Sequence, residues 1–200
     1  MDIISELNGK RILIWGYGRE GKATEHFLQR CVKPASVDIF EGKKEEIDED
    51  DYDFIIKSPG IVMNEENPKY TSETELFLQQ FRDQVIGITG TKGKSTTSAM
   101  LYTVLKACSG RPVLLLGNIG QPCLDYFEEV TEDTIIVYEM SCHQLAHTNV
   151  SPHIAIFLNL YEEHLDYYGT VEKYFEAKSH IAAYQKSGDY FFVGENVPQI

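Results

Sequence analysis

Short apolar runs alternate along this chain with stretches in which apolar residues recur at helical spacing. The runs at Arg11–Trp15, Ser36–Phe40, Asp53–Lys57, Val85–Ile88, Val113–Gly117, Thr134–Glu139, Ile154–Asn159 and Tyr190–Val193 read as strands. Between them, helices are predicted from just past Gly21 to about Arg30, from Ser72 to about Arg82, over Lys94–Cys108 and from Thr170 to about Gln185, with a short turn or helix at Ser141–Ala146. Ser72-Glu-Thr-Glu75 is a capping box that starts the second of these helices, with Leu76 and Phe77 facing inward. Strands alternating with helices predict an α/β fold built on mainly parallel sheets covered on both faces. Because the helix ending near Arg82 runs straight into the next strand, a domain boundary is expected at Arg82 or Asp83, giving domains 1–82 and 83–200.

Two glycine-rich turns punctuate this pattern. The first, Gly16-Tyr-Gly18-Arg19-Glu20-Gly21, follows a strand and opens a helix, which is the G-x-G-x-x-G turn of a Rossmann-like βαβ unit. Glu41 stands at the end of the second strand, where such a fold places its ribose-binding acid, and taken alone this argues for NAD. The same turn holds any diphosphate equally well. Ser58-Pro59-Gly60 makes a tight turn at the end of the third strand, on the edge where open α/β sheets bind ligands.

The second turn, Gly90-Thr91-Lys92-Gly93-Lys94-Ser95-Thr96, connects the strand from Val85 to the helix from Lys94. Amide N–H groups, the positive end of a helix dipole and the charge of Lys94 converge there, an arrangement that calls for a polyphosphate. Ser95 follows the lysine, where a phosphate loop places its magnesium-ligating hydroxyl. The strict G-x-x-x-x-G-K-[ST] pattern needs glycine at Ile88, so the generic match is imperfect.

Composition narrows the partners. With 42% hydrophobic residues in 200, the chain can form one large or two small cores. A net charge of -13 with no Lys/Arg block argues against nucleic acid and anionic membrane surfaces. The acidic run Glu45–Asp53 is expected to be a solvated surface. Four cysteines without a C-x-x-C pair, no signal segment and no spanning apolar run point to a soluble, cytoplasmic protein.

Ser95, Glu139 and His164 all follow predicted parallel strands, so one sheet edge can bring them together as a magnesium site completed by phosphate oxygens and waters. Glu139 closes a β-branched run and resembles a Walker-B acid in placement. His164 alone would more often be structural. Lys178 shares a helix face with Val171, Tyr174, Phe175 and Ile181; the ordinary expectation is a stem on apolar surface and an ammonium in water. Tyr138, Cys142 and His143 are expected to serve local packing.

Gly90-Thr-Lys-Gly-Lys-Ser-Thr-Thr97, Gly117-Asn-Ile-Gly120, Glu139-Met-Ser-Cys-His-Gln-Leu145, Asn159-Leu-Tyr-Glu-Glu-His-Leu-Asp166 and Ala177-Lys178 occur in the order and spacing of the Mur ligase family, and the first domain's turns fit as well. The resemblance covers nearly the whole chain. It implies an ATP- and Mg2+-dependent amide ligase of peptidoglycan precursor synthesis, adding D-glutamate to UDP-N-acetylmuramoyl-L-alanine through an acyl phosphate, as a monomer. Lys94 and Ser95 then belong to ATP and a first magnesium, Glu139 to a magnesium ligand, His164 to a second magnesium, and Lys178 to a lysine carried as a carbamate at the metal site. Asn118 matches a substrate-contacting asparagine. The first domain becomes a UDP-substrate domain, its contacts Gly16, Gly18, Arg19, Glu20, Gly21, Glu41, Ser58 and Gly60 holding uridine diphosphate in place of NAD. Lys92 replaces an asparagine common in the family's loop, Glu163 a usual aspartate, and Cys142 a usual serine. The resemblance stops partway through the ATP-binding domain, so the chain is expected to be a fragment, inactive alone; a self-standing, catalytically silent UDP-sugar-binding or regulatory protein is the competing expectation.

Overall fold

The computed structural model describes residues 2–61 and 67–198. Contacts divide the chain into two compact units, Met1–Gln80 with Pro122–Glu128, and Phe81–Gln121 with Glu129–Ile200.

The first unit contains α1 (Ile3–Leu7), β1 (Arg11–Trp15), α2 (Arg19–Cys31), β2 (Ser36–Phe40), β3 (Phe54–Lys57), β4 (Tyr70–Thr71) and most of α3 (Glu73–Phe81). Its sheet has the order β2-β1-β3-β4, and every pairing is parallel. Leu13, Trp15 and Ile55 form the core of one sheet face, covered by Phe40, Ile47, Tyr52, Ile61 and Tyr70. The alternate residues Ile12, Ile14 and Ile56 are buried on the other face, as the two-residue period of a strand requires.

One expectation fails in this unit, and α1 and β4 are elements the sequence reading does not include. The two-residue strand β4 lacks the length to leave a pattern in the sequence. The acidic run is more than a solvated surface. It folds into two short 3-10 turns, and Glu49 accepts hydrogen bonds from Asn67 and from the Tyr70 hydroxyl (2.7 Å).

The second unit contains β5 (Val85–Thr89), α4 (Lys94–Cys108), β6 (Val113–Gly117), β7 (Ile135–Glu139), α5 (Cys142–Leu145), β8 (Ile154–Phe157), α6 (Leu165–Tyr168), α7 (Val171–Ala183) and β9 (Tyr190–Val193). The sheet order is β6-β7-β5-β8-β9, again parallel throughout. Strand β5 is central, and the chain fills first one side of it (β6, β7) and then the other (β8, β9). That reversal is a topological switch point, and the crevice beyond the C-terminal end of such a strand is where α/β sheets hold ligands. Helix α4 packs on β5, β6 and β7, while α7 packs on β5, β8 and α5.

Local chemistry fixes the helix starts that matter for the site. Gly93 precedes α4 in the left-handed region, φ 83°, which a side chain would strain. The Thr170 hydroxyl accepts from the Lys173 N–H at the start of α7, and Ser141 and Gln144 form a reciprocal capping box on α5. Among the described residues no helix is long and apolar enough to cross a membrane.

Candidate functional site

In the second unit the loop after β5 carries most of the chemistry. Its backbone is held from the β8 side: Thr91 N–H donates to the Asn159 carbonyl (3.0 Å), Lys92 N–H donates to Asn159 Oδ1 (2.9 Å), and Asn159 Nδ2 returns a bond to the Lys92 carbonyl (3.0 Å). The Thr91 hydroxyl is buried; it accepts from Tyr161 N–H (2.9 Å) and lies 3.2 Å from the Tyr174 hydroxyl. The sequence places Asn159 at the end of an expected strand and in a motif, and Tyr174 on an apolar helix face, and neither placement gives these loop contacts. The available signal for Asn159 is a polar residue closing an apolar run.

Two ammonium groups converge on one carbonyl oxygen. Lys94 Nζ donates to Gly90 O at 2.9 Å and to Thr91 O at 3.2 Å, and Lys178 Nζ donates to the same Gly90 O at 3.0 Å. Lys178 is 1% exposed, so the expectation of an ammonium reaching water is wrong. The helix α7 face that carries it is buried along Tyr174, Ala177, Lys178 and Ile181, and the stem is too far inside to snorkel. Its Nζ lies 4.8 Å from the Tyr174 ring centroid. Burial pushes its pKa down to about 8; Lys94 adds to the depression, while Cys142 and Glu163 oppose it.

Glu139 ends β7 beside β5, in register with Ile88, and is 1% exposed. One carboxylate oxygen accepts from Asn118 Nδ2 at 2.8 Å; the other, Oε2, is buried without a hydrogen-bond partner. A buried acceptor left open is costly unless a cation or water completes it. Asn118, expected to contact substrate, uses its amide to orient this carboxylate.

His164 is the only non-glycine residue with positive φ among the described residues, φ 56°. A left-handed conformation away from glycine is a cost that functional positions often carry. Its ring lies edge-on to His143 (centroids 5.3 Å apart) and 5.9 Å from the Tyr174 ring, and its Nε2 is 3.9 Å from Glu163 Oε2. Glu163 pairs in turn with Lys92, whose ammonium holds the carboxyl below its ordinary value. Cys142 is buried and the His143 ring meets that of Tyr167 edge-on (centroids 4.4 Å apart), in keeping with packing roles. Ser95 is exposed in the first turn of α4.

Among the described residues no group of three or more His, Cys, Asp and Glu side chains is set to hold a metal ion. Of the donors expected for magnesium, Glu139 keeps one buried oxygen open, an acceptor whose chemistry suits a divalent ion that takes few protein ligands.

In the first unit the glycine turn is built as its pattern predicts. A Cβ at Gly21 would stand 2.2 Å from Gly16 O, so only glycine lets α2 approach the turn. A Cβ at Gly18 would meet nothing within 4 Å. The space at Gly18 is therefore free for a ligand. Ser58 closes the turn from β3, its hydroxyl donating to Gly16 O at 3.0 Å, and Ile61 N–H donates to Ser58 O across the Pro59-Gly60 turn. Arg19, Glu41 and Gly60 are exposed along this edge.

Among the charged residues of this unit that are buried, Lys57 and Glu73 have strongly altered surroundings. Lys57, 4% exposed, donates to Ile61 O (3.1 Å), and burial lowers its pKa to about 8 against the raising influence of Glu20. Glu73, 2% exposed, accepts from Leu124 N–H (2.9 Å); burial and the Glu20 charge raise it well above the usual carboxylate range.

The sequence model of the Mur ligase middle domain matches residues 88–199. A UDP-N-acetylmuramoylalanine--D-glutamate ligase of Clostridium kluyveri is 36% identical over 170 residues, covering 81% of this chain and 37% of that protein. One of Streptococcus pyogenes is 33% identical over 227 residues, covering 98% of this chain and 50% of that protein. The chain thus spans half or less of the length of these curated relatives. Among solved structures, MurF from Acinetobacter baumannii gives a TM-score of 0.49 at 26% identity over 62% of this chain and 29% of that one. MurF from Thermotoga maritima, in complex with ADP, gives 0.49 at 20% identity over 94% and 44%.

Proposed function

The chain belongs to the Mur ligase family, and from that premise we propose that it carries the UDP-substrate unit and the phosphate-loop unit of an ATP-dependent amide ligase of peptidoglycan precursor synthesis, the ligase that joins D-glutamate to UDP-N-acetylmuramoyl-L-alanine. The observation that carries this reading is the convergence of Lys94 and Lys178 on Gly90 O at the start of the loop. Two cations sharing one neutral carbonyl repel each other, and an anion placed there relieves both.

Each residue then has a task. The loop amides and Lys94 bind and orient the phosphates of ATP; Lys94 offsets the charge that builds up as phosphate moves to the substrate carboxylate. The carboxylate must be activated in this way because it is inert to an amine until one of its oxygens becomes a phosphate leaving group. Ser95, the open oxygen of Glu139 and His164 are the groups that would hold magnesium, which when bound neutralises the crowded phosphate oxygens. Asn118 keeps the Glu139 carboxylate aimed, and Thr91, Tyr174 and Asn159 keep the loop in shape.

Lys178 is read as the carbamylated lysine of the family. Its neutral amine adds to the carbon of CO2 and gives up a proton, leaving an anion beside Lys94. At pH 7 a pKa of about 8 leaves roughly a tenth of the side chains neutral, against fewer than about one in a thousand for an unshifted lysine, so burial prepares this amine for the reaction. In the first unit, Gly16, Gly18, Arg19, Glu20, Gly21, Glu41, Ser58 and Gly60 are assigned to the uridine diphosphate moiety.

Calorimetric titration of the chain with UDP-N-acetylmuramoyl-L-alanine, and separately with NADH, tests the reading of the first unit. Saturable binding of the former and none of the latter is expected. Binding of NADH in place of the UDP compound would return the glycine turn to a dinucleotide role.

A further inference from the structure

The side chains of Lys92 and Glu163 meet in space. Lys92 Nζ and Glu163 Oε1 form an ion pair at the loop after β5, and a role for it in ligand binding rests on the phosphate-loop reading of the second unit. The backbone of Lys92 is clamped on both sides by Asn159, through the 2.9 Å bond to its N–H and the 3.0 Å bond to its carbonyl. Its side chain is 67% exposed and that of Glu163 34%. The loop itself is therefore fixed, and the long lysine side chain is the part able to change partners. Ion pairs this open to water contribute little to stability, so this one is readily exchanged.

We propose that the pair is an exchangeable contact: Glu163 holds the Lys92 ammonium when the loop is empty, and an incoming polyphosphate takes it over, making Lys92 a second phosphate-contacting cation besides Lys94. Lys92 lies two residues before Lys94, and a polyphosphate with several negative charges outcompetes a single half-exposed carboxylate for an ammonium. Glu163 thereby regulates how tightly the loop grips phosphate, and its released carboxylate stays next to His164, 3.9 Å from Nε2 in the empty loop.

The alternative is a static brace, in which the pair merely keeps the loop in shape. The two differ in sign. Under exchange, Glu163→Gln frees Lys92 and tightens anion binding, whereas Lys92→Gln weakens it; under bracing, both weaken it.

The test is calorimetric titration of the 200-residue chain with inorganic tripolyphosphate in EDTA, so that metal ligation by neighbouring residues plays no part. Exchange predicts tightening of about two- to fivefold for Glu163→Gln and weakening of about three- to tenfold for Lys92→Gln, as expected for an exposed pair and a charge-assisted phosphate contact. The double variant should match Lys92→Gln, because Glu163 acts only through Lys92. Weakening by both single variants, no change in either, or equal tightening by Glu163→Gln when Lys92 is already replaced would overturn the exchange. Failure of the unsubstituted chain to bind tripolyphosphate would remove the phosphate-loop reading, and the exchange with it.

Discussion

At the scale of single residues, the two glycines of the first turn make opposite predictions. Gly21→Ala puts a methyl 2.2 Å from Gly16 O and should lower the unfolding midpoint, while Gly18→Ala, with nothing within 4 Å, should fold like the parent and lose UDP-substrate binding because its methyl occupies ligand space. Thermal melts and a binding titration on the same two variants check this; normal binding by Gly18→Ala would show that no ligand comes close there. Lys57 makes a pH prediction. Its pKa is lowered by burial, so below about pH 8 the full cost of a buried charge is present. Between about 8 and 10.5 the unfolded chain binds more protons than the folded one, and stability rises with pH. Denaturant unfolding of the parent relative to Lys57→Met should therefore be flat below about pH 8 and improve by on the order of 3 kcal/mol toward pH 10.5. Parallel profiles would mean that the ammonium is solvated.

At the scale of elements, the sequence was most readable where periodicity and punctuation agreed. The ranges of β1, β2, α4, β6 and β9 match the expectation from apolar runs and glycine turns. Helix α7 runs from Val171 to Ala183, with Thr170, the expected first residue, serving as its cap. What escaped was short or tertiary in origin: α1, β4, the helix α6 inside a polar cluster, and the 3-10 segment Leu124–Glu129, none of which has enough residues to show a period. The chemical identities of Lys94, Glu139 and Lys178 could be read from the sequence, whereas their partners could not. Gly90 O as a shared acceptor, Asn118 as the orienting group for Glu139, and the burial of Glu73 and Lys57 all depend on which elements pack together. The opposite end of the second sheet offers another test. Asp189, its side chain 5% exposed, pairs with Arg82 and His153 and accepts from Lys186 N–H, and so ties β9 to the entrance of β5 and β8. Burial pushes its pKa up, but these partners outweigh burial and hold it below the ordinary 3.8. Its stabilisation is thus present above pH 3.8 and lost as pH falls through the lowered value. Asp189→Asn should cost about 3 kcal/mol at neutral pH, an amount that shrinks in acid, as denaturant titrations would show. A cost independent of pH would assign the effect to packing.

At the scale of the whole molecule, two parallel sheets each present a glycine-rich turn at the end of a strand, and the proposed function assigns one to the diphosphate of a UDP substrate and the other to ATP. Separate turns mean separable losses: the Gly18 substitution should leave ATP binding intact, and a loop substitution in the second unit should leave UDP-substrate binding intact. The central claim is that the loop from Gly90 to Thr96 is a phosphate site charged by Lys94. Its most direct test is calorimetric titration of the chain and of Lys94→Met with ATP and Mg2+, with circular dichroism recorded on both. The account predicts saturable binding by the parent and a loss of roughly ten- to hundredfold in Lys94→Met with an unchanged spectrum, since Lys94 contributes charge at the loop and little to the core. Equal ATP affinity in the two proteins would contradict it.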